Sequence, residues 1–211
     1  MLLVVTAAVF SPALALRDIE VEGTDRLDPA VVAAALEGEL GLPLALVDES
    51  RIADELSSFP LIRSFVVELQ PPDSLRVIID ERRPIGVVVS GIVFQLVDPA
   101  GIVVETSDTR PDGVPLLEFP LGDDGTIRRA VAEVLLALPD DVLAQVDRIT
   151  ATTRDDVTFT LRGSDQRVVW GSAENPERKA LVLEALLDKW RSKGPGEYDV
   201  SGSGSATFRR L

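Results

Sequence analysis

Ile19-Glu20-Val21-Glu22-Gly23 sets two apolar residues in strict alternation with acids and stops on a glycine. A period of two marks a half-buried strand, and the glycine marks the turn that ends it. Asp28-Pro29 follows as a helix start, an Asp cap with proline at the first helical position. Val31, Val32, Ala35, Leu36 and Leu40 repeat at helical spacing until Gly41-Leu42-Pro43 stops them. A second helix begins near Asp48, with Ile52, Leu56 and Phe59 on its apolar face and Pro60 at its end. Phe65, Val67 and Leu69 then alternate with polar neighbours, Pro71 to Ser74 makes a turn, and Leu75, Val77 and Ile79 alternate again. The first unit therefore reads β-α-α-β-β, its two helices covering one face of a three-stranded sheet.

Upstream, Met1 to Leu16 carries no charge. As a helix it would rise about 24 Å, against a hydrocarbon core of about 30 Å. A signal peptide with its cleavage site at Ala13-Leu14-Ala15 is one reading. No basic residue precedes the run, however, and the first, Arg17, lies on its far side. The outer part of a membrane anchor, truncated at its inner end, is the reading we favour. The short step from Leu16 to Ile19 then keeps the first unit close to the bilayer.

Pro84 breaks the pattern. Strands are expected at Ile85–Val89, Val93–Val97 and Ile102–Glu105, with a tight turn at Asp98 to Gly101. Pro111 to Pro120 reads as a loop and Thr126–Leu138 as an amphipathic helix. Strands at Ile149–Thr153, Val157–Arg162 and Arg167–Trp170 follow, then a helix capped at Asn175-Pro176 and running to Trp190. Glu197–Val200 is a last short strand before the flexible Ser201 to Ser205. The second unit is expected to be mainly antiparallel β with two helices, giving an α+β chain.

Composition narrows the chemistry. With 21 basic and 35 acidic residues the formal charge is −14, a field that repels nucleic acid. Histidine and cysteine are absent, which removes imidazole bases, thiol nucleophiles and thiolate or imidazole metal sites. Only carboxylate or Ser–Lys chemistry remains. The adjacent acids Asp123-Asp124, Asp140-Asp141 and Asp155-Asp156 lack the alternating oxygens of a calcium loop and read as turn and cap residues. Gly202 to Ser205 lacks the order of a nucleophile turn. Lys179, Lys189 and Lys193 read as a solvated helix face, and Gly171 as a positive-φ turn.

Several stretches, in order, resemble one family. Ser11-Pro12 through Ile19 to Thr24 is similar to its membrane exit and first strand, and Leu56 to Val67 to its approach to the second. Ile79-Asp80-Glu81-Arg82-Arg83-Pro84 resembles its interdomain E-R-x-P junction. Val97-Asp98-Pro99-Ala100-Gly101-Ile102-Val103 resembles a hairpin. Val168-Val169-Trp170-Gly171-Ser172, with Lys179 and Leu183, is similar to a strand-Gly-helix segment, and Tyr198-Asp199-Val200-Ser201 to its last strand. The family is the FtsQ/DivIB cell-division proteins. The resemblance implies a transmembrane helix (1–16), a POTRA domain (17–84) and an FtsQ-type β domain (85–211).

It further implies a non-catalytic divisome scaffold, single-pass in the bacterial cell membrane at the septum, with its bulk extracytoplasmic and FtsB-like and FtsL-like partners. No cofactor, nucleic acid or small-molecule substrate is expected. Glu197, Tyr198, Asp199, Val200 and Ser201 are the expected partner-binding segment, because a terminal strand exposes an edge open to β-augmentation. Trp190 and Tyr198 are candidate anchors. Glu81, Arg82, Arg83 and Pro84 are the expected interdomain hinge. The bland alternatives are an edge covered by Phe208 and the terminus, and a solvated strand end at Glu81, Arg82 and Arg83. An exported hydrolase with a Ser–Lys or carboxylate site and a transport-type POTRA module are the competing functions.

Overall fold

The computed structural model describes residues 14–119, 125–190, 194–202 and 206–211. The expected membrane helix lies outside the described residues up to position 13. Among the described residues no helix is long and apolar enough to cross a membrane. The chain divides into two compact units, Met1–Arg83 and Pro84–Leu211.

In the first unit Asp28 caps helix α1 (Pro29–Ala35), its carboxylate accepting the Ala30 N–H at 2.9 Å. Asp48 caps α2 (Glu49–Leu56) in the same way, through the Ser50 N–H. Strand β1 (Asp18–Glu22) runs parallel to β3 (Ser74–Glu81), which pairs antiparallel with β2 (Ile62–Gln70), in the order β1-β3-β2. Alternation along β3 sends Leu75, Val77 and Ile79 into a core with Val32, Leu36, Ile52 and Leu56. Several sequence expectations fail here, Val31 among them at 55% exposed. Leu40 lies beyond α1, since the chain tightens into a 3-10 turn at Glu37–Glu39, and Leu69 stays 47% exposed at the far end of β2. Leu16, expected as the end of the apolar segment, is 1% exposed within this core. Burying it contributes about 1.5–3 kcal/mol to the first unit.

The second unit is one nine-stranded sheet in the order β12-β11-β10-β9-β8-β7-β4-β5-β6. Its strands are β4 (Gly86–Ser90), β5 (Val93–Val97), β6 (Val103–Ser107), β7 (Leu116–Glu118), β8 (Val146–Thr150), β9 (Val157–Leu161), β10 (Gln166–Gly171), β11 (Gly196–Asp199) and β12 (Thr207–Arg210). Five of the eight ladders are antiparallel; β7 is parallel to both its neighbours, and β11 to β10. Among the described residues helix α3 (Thr126–Ala137), the single turn α4 (Asp140–Leu143) and helix α5 (Pro176–Trp190) make three helices where two were expected. Val131, Val134 and Leu135 of α3 and Leu183 and Leu187 of α5 close the core over Ile149, Phe159, Trp170 and Tyr198.

Strand β7 sits inside the stretch read as a loop. Four residues between prolines, Leu116 to Phe119, are too short a signal for periodicity, but parallel pairing on both sides supplies their backbone partners. Strand β8 starts earlier than expected and ends at Thr150. The Asp156 carboxylate takes the N–H groups of Thr152 and Thr153, at 2.9 and 2.7 Å, and turns the chain out of the sheet.

Candidate functional site

The β10-α5-β11 crossover builds one end of the sheet. Gly171 leaves β10 at φ 74, and α5 returns the chain so that β11 lies parallel to β10. Leu183 and Leu187 fix α5 on the sheet, and its last residue, Trp190, stands at the rim, half-buried. The chain then runs through β11, turns, and comes back as β12.

That return corrects the main site expectation. The segment from Glu197 to Ser201 is not an edge, because Thr207–Arg210 pairs antiparallel along the free side of β11. Tyr198 is 0% and Val200 2% exposed, so both are core residues. The Val200 N–H donates to the Val169 carbonyl at 2.9 Å. The Asp199 carboxylate accepts from the N–H and hydroxyl of Ser201, at 3.0 and 2.7 Å, and shapes the turn. Glu197 pairs with Arg209 at 2.7 Å. Of the expected anchors, Trp190 and Tyr198 do come together, through a residue outside the expected set. Phe208 stacks on Trp190 (centroids 5.3 Å apart, planes at 19°) and tilts against Tyr198 at 4.8 Å.

The slot for Phe208 exists because Gly196 has no side chain. A Cβ there would lie 2.4 Å from the Phe208 ring. Sequence alternation in Thr207-Phe208-Arg209-Arg210, one apolar residue among polar ones, was the available signal for this strand. Its true edge now has a defined polarity. The Leu211 N–H donates inward to the Pro195 carbonyl, so alternation points the N–H groups of Thr207 and Arg209 inward. Those of Phe208 and Arg210 face outward, away from the sheet.

Lys179, expected on a solvated face, is instead 7% exposed. Its Nζ donates to the carbonyls of Trp170 and Ser172 at 3.1 and 2.8 Å, and lies over the Trp170 ring. Burial pushes its pKa below the usual lysine value, partly offset by the Glu174 carboxylate. A cavity of about 170 Å³ beside it is lined by Ser172, Val182, Val200 and Ser201 among others. The serine and lysine groups there are committed elsewhere, Ser201 to Asp199 and Lys179 to backbone carbonyls. Among the described residues the arrangement offers the exported-hydrolase reading no Ser–Lys hydrogen bond; Ser203, Ser205 and Lys193 lie outside them. Among the described residues no group of three or more acidic side chains is placed to hold a metal ion.

At the expected hinge, the Glu81 carboxylate accepts the N–H groups of Asp25, Arg26 and Leu27 at 2.9–3.2 Å. Burial raises its pKa, but these three donors and the nearby Arg26 charge outweigh it and leave the group below the usual glutamate value. The Arg82 N–H donates to the Leu61 carbonyl at 2.7 Å. Glu81, partly exposed at the end of β3, and the Arg82 backbone are thus tied within the first unit.

Comparison with known proteins gives these elements a common setting. Residues 14–82 match the family described as POTRA domain, FtsQ-type. The cell division protein FtsQ of Streptomyces venezuelae is 34% identical over 87% of this chain and 70% of its own length. The FtsQ proteins of Mycolicibacterium smegmatis and Mycobacterium tuberculosis strain H37Rv are each 33% identical, over 95% and 96% of this chain. The chain spans 59% and 63% of those two relatives' lengths. The major extracytoplasmic domain of DivIB from Geobacillus stearothermophilus aligns at 24% identity with a TM-score of 0.39, over 52% of this chain and 97% of that one. A POTRA unit of the FtsQ type, followed by a β domain that aligns with FtsQ proteins along most of its length, means that this chain belongs to the FtsQ family of cell division proteins.

Proposed function

We propose that the chain is a non-catalytic scaffold of the division machinery, carried as a single-pass protein of the bacterial cell membrane, its two domains extracytoplasmic at the septum. It acts by binding FtsB-like and FtsL-like membrane partners. Anchoring confines these proteins to a thin layer and raises their effective concentration. Glu81 to Pro84 connects the domains, with Arg83 and Pro84 as the hinge, because Glu81 is committed to its own unit.

The observation that carries the reading is the outer edge of β12, on which no strand among the described residues pairs. It offers two outward N–H groups, at Phe208 and Arg210, beside the rim aromatic Trp190. A partner strand pairing there extends the sheet, while alternate side chains supply specificity. The expected segment Glu197–Ser201 then serves as the support on which β12 is laid.

The test is capture of an FtsB-like ectodomain by the full chain carrying Arg210→Pro. This change removes an outward donor without breaking a bond to β11. Arg210→Ala controls for the lost charge. Capture lost with proline and kept with alanine is the expected outcome; equal capture by both refutes edge pairing.

A further inference from the structure

The chain enters the first unit with no linker between its uncharged stretch and the core. Leu16, three residues beyond the last undescribed position, is 1% exposed, and its N–H donates to the Leu42 carbonyl at 2.8 Å. Its own carbonyl accepts from the Gly41 N–H at 2.8 Å, and Ala15 bridges to Pro43. The first charge, Arg17, is fixed at once by its N–H to the Asp73 carbonyl. The loop from Leu40 to Leu46 is therefore held beside the point where the uncharged stretch enters the domain, at Ala15 and Leu16.

That loop presents apolar side chains beside the entry point. Leu40 to Val47 is an unbroken uncharged run, yet Leu40 is 42% and Leu46 52% exposed. Each lies three residues from Pro43, a reach of at most about 10 Å. The interfacial layer outside the hydrocarbon is itself about 5–8 Å deep on each side. With a bilayer leaving off close to Ala15, apolar side chains within that reach contact this layer.

We infer that Leu40 and Leu46 form a membrane-contact site, in which a lipid bilayer surface covers this end of the first domain. The inference rests on the anchor reading proposed above. The nearby charges set the lipid preference. Glu37, Asp48 and Glu49 are exposed acids, while Arg51 is spent on the buried Glu39 at 3.0 Å. The contact is apolar insertion into a zwitterionic interface, and anionic headgroups do not strengthen it. Its consequence is a domain whose orientation on the membrane is set by two points, the anchor and the loop.

The absence of cysteine makes the test direct. Single cysteines replacing Leu46, Leu40, Val66 or Val4 in the full chain are labelled with a polarity-sensitive fluorophore and reconstituted in phosphatidylcholine nanodiscs. Lipids carrying a shallow, headgroup-level quencher are included. Leu46 and Leu40 probes are expected to be quenched several-fold more than the Val66 probe, which sits 57% exposed on β2. The Val4 probe reports the anchor separately. A Val4 probe in the bilayer with Leu46 no better quenched than Val66 overturns the contact site alone. A Val4 probe outside the bilayer overturns the anchor and the contact together. A Leu46 probe shielded from water yet unquenched by lipid assigns the loop to a protein occupant and overturns the proposal.

Discussion

Gly196→Ala isolates the force that holds the last strand in place. Gly196 has no positive φ to lose, so alanine perturbs only the space above it. The new Cβ would meet two Phe208 ring carbons at 2.4 Å and the Arg209 carbonyl oxygen at 3.0 Å. Ordinary carbon contacts need about 3.5–4.0 Å, so the ring must leave its slot by an ångström or more. Half-burial of Phe208 contributes about 1 kcal/mol. Its pairs with Trp190 and Tyr198 add about 0.5–1.5 kcal/mol each. Together, about 2–4 kcal/mol fastens a four-residue strand whose other side chains are exposed.

Losing about 3 kcal/mol corresponds to roughly a hundredfold change in the opening equilibrium. Native-state hydrogen exchange reads this directly. In Gly196→Ala the amides of Thr207, Arg209 and Leu211 should exchange about a hundredfold faster, while those of β9 and β10 change little. Phe208→Ala should reproduce the pattern. Uniform acceleration across the second unit, or unchanged protection at Arg209, would refute the argument that Phe208 is the fastener.

Three further outcomes follow from the same structure. Glu81→Gln weakens three charge-assisted bonds and should cost about 1–3 kcal/mol in chemical denaturation of the first unit, after allowance for solvent screening. Because the folded pKa of Glu81 is lowered, its contribution is present above the unfolded glutamate value and lost as pH falls through the folded one; the variant should show a flatter stability curve over that acid range. Lys179→Ala strips hydrogen bonds from the Trp170 and Ser172 carbonyls and leaves a void, for a loss of about 2–4 kcal/mol, whereas Lys179→Met should recover part of it by filling the space. Since burial lowers the Lys179 pKa, stability of the parent should rise with pH between that lowered value and 10.5, and this rise should vanish in Lys179→Met. Asp28→Ala removes the α1 cap and should cost about 1 kcal/mol in thermal denaturation.

The first unit was legible because its signals are local. A capped Asp-Pro start and an alternating Leu75, Val77, Ile79 each name an element and its buried face without reference to the rest of the chain. The second unit yielded its hairpins and two long helices for the same reason. What escaped was set by distant pairing. β7 is a strand only because β4 and β8 flank it, and β11 is interior because Phe208 brings β12 back over Gly196, the cover that the sequence offered only as the bland alternative. The positive charge of Lys179 suggests water, yet the Trp170 and Ser172 carbonyls accept its hydrogen bonds. Leu16 reads as one more apolar residue of the stretch before it, and only pairing with the Gly41–Leu42 backbone assigns it to the domain core.

The central claim, that a partner strand adds to the outer edge of β12, is tested most directly by amide hydrogen exchange at Phe208 and Arg210 with and without an FtsB-like ectodomain. These two N–H groups face away from β11, and edge pairing should slow their exchange by at least about tenfold, equivalent to about 1.4 kcal/mol. The inward amide of Arg209 should change far less. Formation of the complex with no change at Phe208 and Arg210 would contradict the claim and place the partner elsewhere.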